Sequence, residues 1–209
     1  MELSSKISVS NKTYDSHVAG AIANATTSNL TNIEVKSQEG EVLKGFALDL
    51  KTDSTITYVG GVVGKFVGTS TYNSVSASAY VELINVKSAQ MGGIVGYASK
   101  VTITASVEGN ILHENATHGF KVGGIAGSLS DFLVESAVVD VVFNYNGILG
   151  GNSYQYLGSV AGFLESSGTV NEWSYDSNNI KTRTVTNGVV TIGCCGYSDK
   201  NITINSEQN

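Results

Sequence analysis

Cys194 and Cys195 are adjacent. Neighbouring thiols can pack as small core groups, bond another chain or, with further ligands, hold a metal. In an alternating strand, neighbours point to opposite faces, so a disulfide between the two would be strained and one thiol is expected inward. The other is then placed for an intermolecular disulfide near the C-terminal end. No histidine or second cysteine pair stands nearby at ligand spacing, so no metal is expected. The run His113-Glu114-Asn115-Ala116-Thr117-His118 holds two imidazoles and a carboxylate. It lacks the helical context and four-residue spacing of a zinc-protease motif and reads as a solvated loop. His17 stands alone and reads as a surface residue.

Polysaccharide cleavage needs acids that hold Ca²⁺ beside a Lys or Arg base, or else a carboxylate pair. The aspartates at 15, 49, 53, 131, 140, 176 and 199 are scattered, and the pair Asp49 and Asp53 has no echo elsewhere. Only Asp140 with Asp176, and Glu135 with Glu172, approach a common interval. No catalytic residue, metal or cofactor is therefore expected. Tyr154, Tyr156, Trp173 and Tyr175 form a candidate rim face for a carbohydrate, or satellite packing.

The elements that position these residues come from a recurring block, Gly-Gly-aliphatic-aliphatic-Gly. It reads Gly60-Gly61-Val62-Val63-Gly64, Gly92-Gly93-Ile94-Val95-Gly96 and Gly123-Gly124-Ile125-Ala126-Gly127. Looser copies are Gly158-Ser159-Val160-Ala161-Gly162 and Ile192-Gly193-Cys194-Cys195-Gly196, and Ala19-Gly20-Ala21-Ile22-Ala23 is a degenerate first one. The segments beginning at 18, 59, 91, 122, 157 and 191 are spaced by 41, 32, 31, 35 and 34 residues. Such a period marks stacked supersecondary units. The block itself reads as a strand whose glycine columns let two backbones or two sheets approach closely.

After the block, Val101 to Glu108 alternates apolar and polar residues, the pattern of a strand with one buried face. Residues 73–83 repeat it, and 132–143, more apolar, read as buried on both sides. An extra strand is expected over Val42 to Leu50 in the long first interval. The connections Glu108 to Lys121 and Asn144 to Tyr156 should carry length variation to one rim, displaying His113, His118, Tyr145, Tyr154 and Tyr156. No window holds a 3.6-residue apolar stripe, so almost no helix is expected.

The expected fold is all-β, a parallel β-helix (β-solenoid) of about five to six coils with a 31–35-residue repeat. One elongated domain spans 1–209: an N-terminal strand or edge segment over 1–17, a degenerate first repeat over 18–58 and regular repeats over 59–205. A closed sandwich of regularly spaced hairpins is the competing fold.

Twenty-four glycines with no proline fit a chain whose N–H groups sit in ladders, since proline cannot donate. Charged residues are 14% and the net charge is −6, which argues against a phosphate-tracking surface and so against nucleic acid and anionic membrane. No apolar run approaches the ~20 residues of a membrane-spanning helix. The start, Met1-Glu2-Leu3-Ser4-Ser5, lacks the basic and apolar segments of a secretory leader, so a secreted form would have lost one or belong to a longer protein. Five sequons, at Asn11, Asn24, Asn29, Asn115 and Asn201, are glycosylation candidates or polar turn residues.

The glycine block, polar turn and alternating strand resemble the GLUG-motif repeats of large surface proteins, including bacterial adhesins. The resemblance covers roughly residues 59 to 205, through Gly60 to Gly64, Gly92 to Gly96 and Gly123 to Gly127, with partial matches at Gly158 to Gly162 and Gly193 to Gly196. The Asn-Cys-Tyr that often follows the block in that family is lacking, and the last block has cysteines where aliphatics belong. The resemblance implies a non-enzymatic structural or adhesive role at the cell surface or outside the cell. The last block is followed by one short strand, Asn201 to Asn205, and no capping helix, so a stalk or filament subunit is expected whose partners are itself, head to tail, or flanking repeats. A carbohydrate-binding or polysaccharide-degrading β-helix is the alternative.

Overall fold

The computed structural model describes residues 2–3, 7–10, 15–37, 46–52, 56–86, 89–116, 120–148, 155–175, 180–186, 193–199 and 201–205. These form strands and no helix. The strands are β1 (Glu2–Leu3), β2 (Ile7–Ser10), β3 (Ser16–Ala19), β4 (Ile22–Ala25), β5 (Leu30–Thr31), β6 (Glu34–Ser37), β7 (Phe46–Thr52), β8 (Thr57–Gly60) and β9 (Val63–Val86). They continue as β10 (Ala89–Gly92), β11 (Val95–Ala116), β12 (Phe120–Gly123), β13 (Ala126–Ile148), β14 (Gln155–Gly158), β15 (Ala161–Tyr175), β16 (Ile180–Thr186), β17 (Cys195–Ser198) and β18 (Asn201–Ile204).

All described pairings are parallel, and like repeats lie on like repeats. The short strands before the block form one sheet in the order β14-β12-β10-β8-β3, and the rest form a second built on β9-β11-β13-β15. Val18, Val59, Met91, Val122 and Leu157 share one row of the first sheet. Ile22, Val63, Val95, Ala126, Ala161 and Cys195 share one row of the second. Between the sheets the Ile94 N–H donates to the Ile125 carbonyl at 3.0 Å, and the Ile125 N–H to that of Val160 at 2.9 Å. A hairpin sandwich would pair neighbouring strands antiparallel and is excluded for these residues.

A strand of 22 to 24 residues, as in β11 and β9, would run ~75 Å if straight. Corners interrupt it. Gly68, Lys100, Asp131 and Ser166 have φ of 132°, 56°, 50° and 65° and follow the same stretch of successive repeats, each beside a shift in register. A second corner lies at Asn32 and Ser74, with φ of 54° and 53°, continued by the register shift at Ile103/Thr104. A left-handed residue with a Cβ costs ~1 kcal/mol or more, offset here by bonds from neighbouring repeats. Asp131 Oδ1 accepts from Ser167 at 3.0 Å, and Asp199 Oδ2 accepts from the Ser166 N–H at 2.9 Å.

The glycine block departs from the expected strand. Gly92 closes β10, Gly93 and Ile94 bend, and Val95 opens β11, so the block turns the chain from one sheet into the other. Strand alternation does not hold across a bend, and Ile94 and Val95 both face the core, as do Ile125 with Ala126 and Val160 with Ala161. Past the corner, alternation is as expected: Val101, Ile103, Ala105 and Val107 are buried, and Ser106 and Glu108 exposed. Residues 132–143 are buried on one face only, since Val138 is 51% exposed. Strand runs on to Ala116 and Ile148, so much of the two expected connections is sheet, and His113 pairs in register with Tyr145. The extra strand of the first interval is β7, and β1 and β2 lie as edge strands on β6 and β7. Residues 42–45, His118, Tyr154, Asp53 and Asp176 lie outside the described residues.

The third glycine of the block lets the two sheets meet backbone to backbone. A Cβ on Gly127 would stand 2.3 Å from the Met91 amide nitrogen and 2.5 Å from the Gly96 carbonyl oxygen, both in the repeat before. Gly64, Gly96 and Gly162 meet the same obstruction. Only the first copy carries a side chain there, Ala23, and it is exposed. Gly127→Ala should therefore destabilise by about 2–3 kcal/mol in denaturant unfolding. Gly193→Ala, whose Cβ meets nothing within 4 Å, should stay within about 0.5 kcal/mol. Equal effects at the two sites would contradict this packing.

Candidate functional site

Two outward rows meet where the chain turns from the first sheet into the second. One is His17, Tyr58, Gln90, Lys121 and Tyr156, each in the second position of its strand. The other is Asn24, Lys65, Tyr97, Ser128, Phe163 and Tyr197. Strand alternation turns both rows away from the core, and the tight contact at the neighbouring glycines brings them together.

The rows interlock as cations over rings. Lys65 Nζ lies 4.3 Å from the Tyr58 ring centre and 6.0 Å from that of Tyr97, and the Tyr58 and Tyr97 rings meet edge to face at 6.0 Å. Lys121 Nζ lies 4.0 Å from the Phe163 ring centre and 2.8 Å from Glu165 Oε1, both side chains about a quarter exposed. Phe163 stacks on Tyr197 at 5.2 Å with planes 6° apart, and Tyr156 leans on both at 5.3 and 5.1 Å. Contacts of this kind contribute about 0.5–1 kcal/mol each where partly exposed. Burial, then the negative charge of Asp15, raises the Tyr58 pKa, and burial, then Glu165, raises that of Tyr97. Both phenols stay neutral donors at neutral pH. At the middle of the stripe Gln90 Oε1 and Ser128 Oγ are buried and find no partner among the described residues.

The rim proposed from sequence is dispersed. Trp173 is 9% exposed, lies in register with Val75, Ala105 and Ala137 on the core side, and donates from Nε1 to the Asn205 carbonyl at 3.1 Å. It packs inside because the small residues of that row leave room for an indole. Tyr175 is half-buried against Phe143 at 5.9 Å. Of the three described rim residues, Tyr156 alone is in the aromatic stripe, where Phe163 and Tyr197 are its partners. His17 is half-buried, not a surface residue, with its ring 5.4 Å from Tyr58.

Cys194 is buried and Cys195 half-buried, neither is in a disulfide, and both pack on the core because they sit at the bend. Burial pushes the Cys195 thiol up, partly offset by a hydrogen bond from Ser198. Among the sequons, Asn24, Asn29 and Asn201 are exposed, and Asn29 Oδ1 accepts from the Thr71 N–H at 3.0 Å. Asn115 lies in β11, and Asn11 is outside the described residues.

The acids also fall differently. Glu172 is in register with Ser136, not with Glu135, so their interval does not stack them. Glu108 and Asp140 do stack, and with Glu34, Ser76 and Ser106 they line an open groove of about 380 Å³. Among the described residues no group of three His, Cys, Asp or Glu side chains could hold a metal ion, and no helix is long and apolar enough to cross a membrane. The stripe can bind through ring faces, amide and charge, and has no nucleophile paired with a base. Family models, curated proteins and solved structures were compared with this chain, and none matches.

His17 gives the stripe a pH dependence. Burial and then Lys65 lower its pKa, against a smaller opposing pull from Asp15. The unfolded chain therefore takes up the proton first as pH falls, so stability is full above the ordinary histidine value of about 6.5 and is lost below it. The His17→Phe variant should overtake the wild type in thermal stability as pH falls through about 6.5. Parallel pH profiles for the two chains would contradict this.

Proposed function

We propose that this chain is a β-solenoid of five to six coils with a 31–35-residue repeat, acting outside the cell or at its surface as a stalk, adhesin or filament subunit. It lengthens by stacking end to end, on further copies or on flanking repeats of a longer chain. The observation that carries this reading is the contrast between the stack and its last described strands. Val170 is fully buried, while Ile204, next in the same row, is 39% exposed. Tyr197, beyond half-buried Phe163, is 47% exposed. The outer edges of β17 and β18 pair with no described residue. An uncovered edge with apolar ends recruits another strand, and a contact between unlike ends propagates without closing.

A carbohydrate-binding role is the second reading, favoured by the ring faces of Tyr156, Phe163 and Tyr197 beside the Lys121–Glu165 ion pair. Partly exposed rings beside charged donors and acceptors suit the apolar face and hydroxyls of a sugar.

Light scattering with negative-stain imaging over a concentration series separates the readings. The chain should grow into unbranched rods of constant width, and Ile204→Lys, which puts a charge on the end face, should leave it monomeric. A wild-type chain that stays monomeric at every concentration would overturn end-to-end assembly, and glycan binding by that monomer would favour the second reading.

A further inference from the structure

The two ends of the described stack are complementary in three independent respects. The first is polarity. Through the bends each repeat donates to the next: Gly20 N–H to the Gly61 carbonyl, Gly93 to Gly124, Val95 to Ile125 and Ser159 to Gly193. Among the described residues that pattern leaves the carbonyls of Gly20 and Ala21 as acceptors at one end and the N–H groups of Gly193 and Cys195 as donors at the other. Like ends brought together would oppose donor to donor, whereas unlike ends continue the ladder.

The second is phase. At the first end β3, β4 and β5 have uncovered outer edges among the described residues, while the stretch after the second corner is covered by β1 and β2. At the other end β17 and β18 have advanced one coil, while the stretch after the second corner still belongs to β16. Both ends are thus ramps whose step falls at the same corner. A second copy can seat its Ile7–Ser10 on Ile180–Thr186 and its β4 and β5 on β17 and β18 at once, in the rows they already share. The third is side-chain fit: the rows that end in half-exposed Cys195 and Ile204 begin with half-buried Ile22 and buried Leu30.

We propose that copies of this chain join head to tail in that one register, Ile22 over Cys195 and Leu30 over Ile204 of the preceding copy, so that the coil repeat passes through the joint without a break. This rests on the end-to-end reading above and specifies its contact. Register neighbours on parallel strands stand ~4.8 Å apart at Cα, within the range a disulfide spans.

The test uses the full chain carrying Cys194→Val, since valine stands in the same bend position at Val62 and Val160. Adding Ile22→Cys and exposing the chain to oxidised glutathione, which takes up the two electrons and two protons released, should shift the mass to dimers and higher multimers that dithiothreitol reverses. Ala25→Cys, which the same register places over Ser198, should give no such shift. Light scattering of the reduced variants checks that each still assembles. Crosslinking by Ala25→Cys as readily as by Ile22→Cys, or by neither while rods still form, would overturn the register and leave end-to-end assembly standing. Chains that stay monomeric under reducing and oxidising conditions would overturn both.

Discussion

The structure depends on one close approach: at the third glycine of each block, the backbone of one sheet lies against the backbone of the other with no side chain between them. Cβ atoms at Gly64, Gly96, Gly127 and Gly162 would fall within about 2.3–2.5 Å of backbone atoms of the preceding repeat, well inside van der Waals contact. That contact sets the angle at which the chain turns, which aims both block aliphatics inward and brings the two outward rows of the aromatic stripe together. The repeat length follows, because each block must fall where its predecessor left room.

Around this contact, parallel in-register pairing makes every residue type a row. Rows of Val, Ile and Met fill the interior, and each repeat covers the apolar edge of the one before, so no single repeat is stable alone. Polar residues at the corners reach one repeat along to hold a left-handed backbone, as Asp199 does for Ser166. Outward, a row can put like charges together, as at Glu108 and Asp140, or alternate a cation with rings, as at Lys65 and Lys121. The same geometry shapes the ends, where a row stops and its last side chain is half-exposed. The proposed joint extends the internal contact rather than requiring a new one.

Much of this was legible in the sequence. The spacing of the blocks placed Ile94 beside Ile125, and alternation from Val101 to Glu108 gave the buried face residue by residue. The bend was not legible, because glycines and aliphatics in a row look the same whether the chain runs straight or turns. Nor were the corners: Lys100 and Ser166 adopt left-handed backbone that their residue types do not announce. Between a rim face and packing, the chain neighbours of Trp173 do not decide; the small residues of its row, Ala105 and Ala137, place it inside. The stripe escaped for the same reason. Tyr58 and Lys121 join the rim candidate Tyr156 in one row only once the repeats are aligned on their glycines.

Scalar couplings across hydrogen bonds, measured by NMR on the isotope-labelled chain, report directly which amide donates to which carbonyl. The account predicts couplings from the amide nitrogens of Ile94 and Val95 to the carbonyl carbon of Ile125, and from those of Ile125 and Ala126 to that of Val160. Couplings that instead join each block to the strand next to it in the chain, in the antiparallel pattern of a hairpin, would contradict it.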